Sequence, residues 1–489
     1  MIPLLLWLLG AATPALPPAQ TPPAVSRGAS RQPAEAYLQF LLGRRLEAEG
    51  DTDGAIAAHR RAADLDPESA EIRAELSGLY ARQDKAREAM QWAEAALAID
   101  AGSEEAHRVL GLIYSALSDR PDLARQIGIR EGTAETFAAQ AARHLEQADS
   151  DMRVDASLHF ALGRAYMVQR AYQKAIPVLR HLPDEEPGVS DASLLLAEAY
   201  HRTGDLAAAR RTLEEAVAEQ PDSLRARLQL AQLDEQEERW KDAADQYARA
   251  LQISPDNAEL ARRQAIALLS GGDPGRARDL LAPIVARYRT DPKRARSLGL
   301  LLTPLGFAYQ ELREYANAIQ TFEEARATFP ADDSIVFPLG AAYERAGRDA
   351  DAERIFRDLL AKDPLNAPAL NYLGYMLADR GRSLNEAVAL IERALVREPS
   401  NASYLDSLGW AYFKLGRLDL AERNLRQAAG ELASTSVVQD HFGDVLYKMK
   451  RFDDAVAAWQ RALAGDGEEI DRRAIEAKIK DARARAKRP

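Results

Sequence analysis

Residues 401–416 read "NASYLDSLGWAYFKLG". An acid, a hydroxyl and an indole stand close together in Asp406, Ser407 and Trp410, with Tyr404 and Tyr412 on either side, which invites a catalytic reading. The core "LGWAY" decides otherwise, because it is one instance of a pattern that runs through most of the chain. Its small residue has equivalents at Gly43, Ser77, Gly111, Gly163, Ala197, Ala231, Ala265, Gly306, Gly340, Gly374, Gly409 and Gly443. The steps between them are 34, 34, 52, 34, 34, 34, 41, 34, 34, 35 and 34 residues, and chance does not give eight steps of 34. An internal period of this length is the mark of a repeat architecture.

Each mark has similar surroundings. A leucine often precedes it, as Leu42, Leu110, Leu162, Leu305 and Leu408 do, and an aromatic often follows three residues on, as at Tyr80, Tyr166, Tyr343 and Tyr412. A small alanine comes twelve residues after it in most repeats, as at Ala55, Ala318 and Ala421. Many repeats close on proline, among them Pro67, Pro187, Pro255, Pro330 and Pro399. Apolar residues spaced by three and four make two amphipathic helices per repeat. The small residues let the two approach closely, and Gly or Asp (Gly50-Asp51, Gly204-Asp205, Gly416) turns the chain between them. One such pair cannot bury its apolar face alone, so the repeats stack.

This pattern resembles the tetratricopeptide repeat (TPR) family over residues 36–469, in twelve repeats. The resemblance implies an all-α fold, a right-handed α-solenoid of helix-turn-helix repeats. Three repeats depart from the pattern. The third carries about 18 extra residues before its second helix, near 115–138; the seventh is loose and is followed by a seven-residue slip containing "DPKRARS"; the tenth has one extra residue near Gly381. The expected organisation is a leader-like segment (1–19), a Pro-rich linker (20–35), an N-terminal array of seven repeats (36–298), a C-terminal array of five (299–469), and a capping helix with a basic tail (470–489).

Composition narrows the function. The chain has 489 residues, 47% of them apolar, enough for a packed core, and 64 basic against 75 acidic residues give a net charge of −11. A general nucleic-acid binder shows a basic excess instead. The absence of cysteine excludes disulfides, thiolate metal sites, cysteine nucleophiles and a lipid-modified N-terminal cysteine. Ile2 to Leu9 form a short apolar run followed by small residues and prolines, as in a secretory signal, although no Lys or Arg precedes it. Export to the periplasm or cell envelope is therefore expected, with a cytoplasmic location as the alternative. Beyond residue 20 no apolar run approaches the roughly 20 residues of a membrane span.

Motifs for chemistry are lacking. None of the seven histidines has metal-ligand spacing, and "GGDPGRAR" at 271–278 lacks the Lys-Ser/Thr of a phosphate loop. No histidine is in frame with Ser407 to activate it. Outside the repeats there is no room for a catalytic domain of about 100 residues. No enzyme activity, cofactor or metal is expected.

In TPR proteins positions 2, 5, 9 and 12 of the first helix line a concave groove, counting the small residue as position 8. Transferred to this sequence, the resemblance implies a C-terminal groove of Phe307, Phe337, Asn371, Tyr375, Asp406, Trp410, Phe413, Asp440, Asp444 and Tyr447, with Gln310 and Glu344 at position 12. The N-terminal groove is aromatic and basic, with Tyr37, Phe40, Arg44, Arg108, Phe160 and Arg164. Large aromatics beside Asn and Asp suit an extended peptide, since rings supply contact area at low entropy cost and the amide can pair with a peptide backbone. The carboxylate clamp of chaperone-binding TPR proteins is not matched.

The run "NYLGYMLADRG" through "HFGDVLYKMKRFDDAVAAWQRAL" (371–463) is similar to the C-terminal block of bacterial envelope TPR proteins, which include adaptors for a periplasmic processing protease. That implies a scaffold binding partner proteins or extended peptides, a periplasmic protease and its clients among them. The alternative is a structural accessory subunit of a polysaccharide-export, secretion or envelope-assembly machine.

Overall fold

A computed structural model describes residues 31–129, 132–148, 155–180, 182, 191–329, 333–467 and 470–486. The leader-like segment, the linker up to residue 30, Pro187 and Pro330 lie outside the described residues. Within them the chain forms 25 α-helices and three short 3-10 helices, with no strand. Helices come in antiparallel pairs, A and B, joined by short turns, so the all-α solenoid architecture implied by the repeats is what the chain adopts. Two compact halves divide after Ser254. The first holds repeats one to six, and the second holds repeats seven to twelve with the closing helix Arg472–Ala486. The expected array boundary at 298/299 follows a slip in repeat spacing, and that slip lies inside the second half.

Local chemistry sets the helix ends. At the start of repeat eleven, Asn401 Oδ1 accepts from the backbone N–H groups of Ser403 and Tyr404 at 3.1 and 3.2 Å, capping helix A (Ala402–Lys414). Its end is closed by Gly416 at φ 76°, with Gly416 N–H donating to Phe413 O and Arg417 N–H to Tyr412 O, both at 2.9 Å. The same closure onto the tyrosine carbonyl recurs at Lys85–Tyr80, Ala171–Tyr166 and Arg348–Tyr343. The left-handed residue need not be glycine: Asp84, Arg170, Glu238, Arg313 and Lys450 occupy it in five turns.

The small residue at position 8 of helix A meets one side chain of helix B. Gly306 faces Phe322, Gly340 faces Phe356, Gly409 faces Leu425 and Gly443 faces Trp459, each sixteen positions later. A Cβ on any of the four would lie 2.5–2.7 Å from that side chain. In repeat ten the partner of Gly374 is Ile391, seventeen on, and in repeat three the partner of Gly111 is Leu145, thirty-four on. Those offsets match the one-residue and 18-residue insertions expected from the spacing. The described part of the insert holds a 3-10 helix (Pro121–Ile127), tied down by Arg87 to the carbonyls of Ile127 and Gln126 at 3.2 and 3.3 Å. The slip after repeat seven becomes a second 3-10 turn (Pro292–Arg294) and a helix A of 17 residues (Ala295–Glu311).

In three repeats the recurrent tyrosine ties the repeat to the one before it. Tyr166 donates to Glu146 at 2.5 Å, Tyr412 to Glu392 at 2.8 Å, and Tyr343 to Glu323, in each case twenty residues back on the preceding helix B.

Two glycines separate packing from propensity. A Cβ on Gly409 would lie 3.2 Å from Ala421 O and Leu425 N, backbone that cannot rotate away, so Gly409→Val should cost about 2 kcal/mol or more through overpacking. Gly430, in helix B of the same repeat (Leu418–Glu431), has nothing within 4 Å of a built Cβ, and Gly430→Ala should add about 0.5–1 kcal/mol. Urea unfolding of both variants checks the pair, and equal signs would refute the close-approach account.

Candidate binding groove

Helices A of repeats nine to eleven, with the start of repeat twelve, enclose a cleft of about 620 Å³. Asn371, Tyr372, Tyr375, Asp406 and His441 line it, with Glu344 and Arg380 at the edge. Asn371, Tyr375, Asp406 and Glu344 are therefore brought together as the groove register expects. Glu344 is held by Arg380 at 3.2 Å. Phe307 stands apart from them, in a second and more apolar cleft with Ile266, Leu300 and Pro304, and its ring packs edge-on to Phe322.

Asp406 has a partner that spacing did not reveal. His441, on helix A of repeat twelve (Ser436–Lys448), places Nδ1 at 3.0 and 3.2 Å from its two carboxylate oxygens, with both side chains under 10% exposed. The expectation that no histidine is in frame with Ser407 is thereby corrected, since His441 stands one 34-residue step after it and is turned to Asp406. His441 sits at position 6 of its helix, one residue outside the groove register. No catalytic triad results, because Ser407 Oγ donates to Ser403 O at 3.0 Å within its own helix.

Trp410, placed in the groove by the register, is packed as closely as a core residue. It is 8% exposed, close to the 6% of Leu408 beside it. Its indole stacks on His441 at 4.1 Å and on Phe413 at 5.1 Å, carries Lys414 Nζ 4.8 Å from the ring, and donates Nε1–H to Asp379 at 3.2 Å. The indole thus packs against His441 and does not itself line the cleft.

The remaining groove residues are engaged within the chain. Phe337 packs edge-on against Phe356 and Tyr372. Asp440 and Asp444 both bind Lys478 of the closing helix, at 2.9 and 2.7 Å, and Asp444 also accepts from Trp459 Nε1 at 3.2 Å. Tyr447 donates to Asp481 of the same helix. In the first half, Phe40 lies edge-on to His59, Arg44 pairs with Glu75 at 2.5 Å, and Arg108 is forked onto Glu105 at 2.6 and 2.7 Å. Phe160 is buried beneath the Arg164 guanidinium, which pairs with Asp119. Tyr37 is exposed.

Two groove amides are left with an unused acceptor. The side-chain carbonyl oxygens of Asn371 and Gln310 are buried with no hydrogen-bond partner among the described residues. Buried polar atoms are almost always paired in the working state of a protein, so these two mark where an N–H donor is missing.

Three histidines titrate in opposite senses. Burial opposes charge on His441, but Asp406 in contact, with Asp440 and Asp444 beyond, holds its pKa above the ordinary value. Its stabilising contribution is complete below an unfolded pKa of about 6.5 and is lost as pH rises through the raised folded value. Burial pushes His59 and His144 down to about 4, so their contributions are present above about 6.5 and lost as pH falls toward 4. Proton NMR should find the His441 midpoint above the ordinary histidine value and the other two still neutral at pH 5. Asp406→Asn should move the His441 titration below the ordinary value and abolish the loss of stability on its alkaline side.

Comparison with known proteins identifies the repeat. A family model described as tetratricopeptide repeat matches residues 46–113, 169–233, 235–300 and 310–373, and a second model of the same description matches 350–402 and 382–435. The TPR repeat-containing protein PA4667 of Pseudomonas aeruginosa is 33% identical over 206 residues, which are 42% of this chain and span 33% of that protein's length. Yeast Tom70 superposes on 92% of this chain and 96% of its own, at 15% identity and a TM-score of 0.42. YrrB, described as a TPR protein with an unusual peptide-binding site, does so over 44% of this chain and 98% of its own, at 17% identity and a TM-score of 0.35. With the first family model covering more than half of the residues, and with the 34-residue step realised as stacked helix pairs, the chain belongs to the tetratricopeptide repeat family.

Proposed function

We propose that this protein is a non-enzymatic scaffold whose second half binds an extended segment of a partner protein along helices A. The observation that carries the reading is the buried, unpaired carbonyl oxygen of Asn371, on a helix that lines a cleft walled by Tyr372, Tyr375 and the Asp406–His441 pair. An extended peptide offers backbone N–H groups at regular intervals, and one of them would satisfy this acceptor. Gln310 repeats the chemistry two repeats earlier. Asp406 and His441 neutralise each other, and the Ser407 hydroxyl is turned away, so the cleft has polar recognition without an activated nucleophile.

The setting proposed is the bacterial cell envelope, as an adaptor between partner proteins, a protease and its clients among them. The apolar run Ile2–Leu9 with the prolines after it supports export, and the similarity to a bacterial TPR chain is in keeping with it. Cell fractionation tests the location: a shortened chain in the periplasm or envelope is expected, and an intact Met1 on a purely cytosolic protein would end the proposal.

The groove is tested with an array of extended peptides probed by the purified chain. Asn371→Ala should weaken the peptides that bind by about tenfold, or about 1.4 kcal/mol. Its thermal midpoint should move by no more than about 2 °C, because the lost group makes no hydrogen bond through its oxygen. Binding that is indifferent to both Asn371→Ala and Gln310→Ala would show that the groove is not the site.

A further inference from the structure

The first helix of repeat one (Arg31–Ala48) is apolar on two faces. One face is packed: Phe40 and Gly43 meet His59 of helix B, and Leu46 lies against the core of the first half. The other is open. Tyr37, Leu38, Leu41 and Leu42 are 62%, 58%, 46% and 40% exposed, and at about 100° per residue they form one stripe.

The repeat register says what this stripe is for. Leu38, Leu41, Leu42 and Arg45 stand at positions 3, 6, 7 and 10 of helix A. In repeat three these positions are Ala106, Val109, Leu110 and Ile113, and in repeat four Leu158, Ala161, Leu162 and Ala165, all of them buried. There they pack in the core with the preceding helix B, as Leu158, Ala161, Leu162 and Ala165 do with Ala138, Ala141 and Leu145. Among the described residues no helix precedes repeat one. The other end of the chain is finished differently: the closing helix buries Ile475, Ile479 and Ala482 and turns Arg473, Glu476, Lys480 and Arg483 to solvent. A stack needs such a polar end to stay soluble. The first helix keeps leucines instead.

We infer that this stripe binds the same stripe of a second copy, the two first helices packing antiparallel about a twofold axis near residue 40. Charge placement selects that occupant. Glu35 flanks the stripe toward its N-terminal end and Arg45 closes it at the other, both exposed. Antiparallel pairing sets Leu38 opposite Leu42 of the second copy, Leu41 near its counterpart, and Glu35 opposite Arg45 of the second copy, whereas a parallel arrangement would set like charges together. A self-complementary patch of this kind is what a twofold interface requires. Arg45 can turn outward, since among the described residues its guanidinium is held only by Glu49 one turn along its own helix. Position 10 is apolar where a helix of the same chain seals it, as with Ile113 and Ala165, and an arginine there suits an interface edge open to water. One helix of about 27 Å gives less than a standard interface, so the association is reversible, with a midpoint between about 1 and 100 μM.

Sedimentation equilibrium of the full chain tests this. The weight-average mass should rise from 53.8 kDa toward twice that value across the range. Leu41→Glu, an exposed change that leaves the helical circular dichroism intact, should hold the one-chain mass at 100 μM. Glu35→Arg and Arg45→Glu should each raise the midpoint about tenfold, and the two together should restore it, because the reversed pair meets across the axis. A one-chain mass at every concentration overturns the inference, whether residues 1–30, another protein or solvent covers the stripe. A dimer that survives Leu41→Glu overturns it too, and failure of the double reversal to recover the dimer rejects the antiparallel pairing.

Discussion

The close approach of helix A to helix B at a single position underlies the rest of this structure. Where Gly306 meets Phe322, or Gly443 meets Trp459, no side chain can stand between the helices, and the larger residue of helix B is sealed in the gap. That contact fixes how far each pair closes. It thereby fixes which residues of helix A are left for the neighbouring repeats and which for the groove. Insertions are tolerated as long as the contact is kept: Gly111 still finds its leucine across the 3-10 helix of repeat three, and Gly374 still finds Ile391 after the extra residue in its turn. His59 shows the rule with an unusual filler. An imidazole occupies the sealed position opposite Gly43, both its nitrogens lack partners among the described residues, and burial keeps it neutral.

Much of the fold was legible because the constraint is written in residue size. A small residue every 34 positions, with a tyrosine three later, is visible without any structure, and so were the lengths of the insertions. The tyrosine's reason was not visible. In three repeats its hydroxyl reaches a glutamate of the previous helix B, and nothing in the spacing singles that glutamate out among its charged neighbours. Turn chemistry was half legible: Gly50, Gly204 and Gly416 stand out, but Arg170, Glu238, Arg313 and Lys450 take the same backbone conformation with residues that carry no turn signature.

The groove was legible as a register and less so as an environment. Asn371, Tyr375 and Asp406 share a cleft because positions 5 and 9 of successive helices A lie side by side. What the register omits is the reach of long side chains between repeats. Trp410 extends to Asp379 of the previous repeat and is covered by His441 of the next, so a residue that the register points toward the groove is packed between repeats and does not line the cleft. Asp440 and Asp444 fall in the groove register, but the closing helix lies outside the 34-residue step, so Lys478 could not be placed against them by counting.

The turns hold one more consequence, which concerns history more than binding. Five of them force a side-chain-bearing residue into the left-handed region, which costs roughly 1 kcal/mol or more apiece relative to glycine. Six equivalent turns in the same chain already use glycine there, Gly204, Gly272 and Gly347 among them. The twelve repeats have therefore not converged on one best solution, although they face the same local problem. A chain that carries several such unimproved turns has been held above a stability threshold and not driven to an optimum, and its own glycine turns are a template for raising it further.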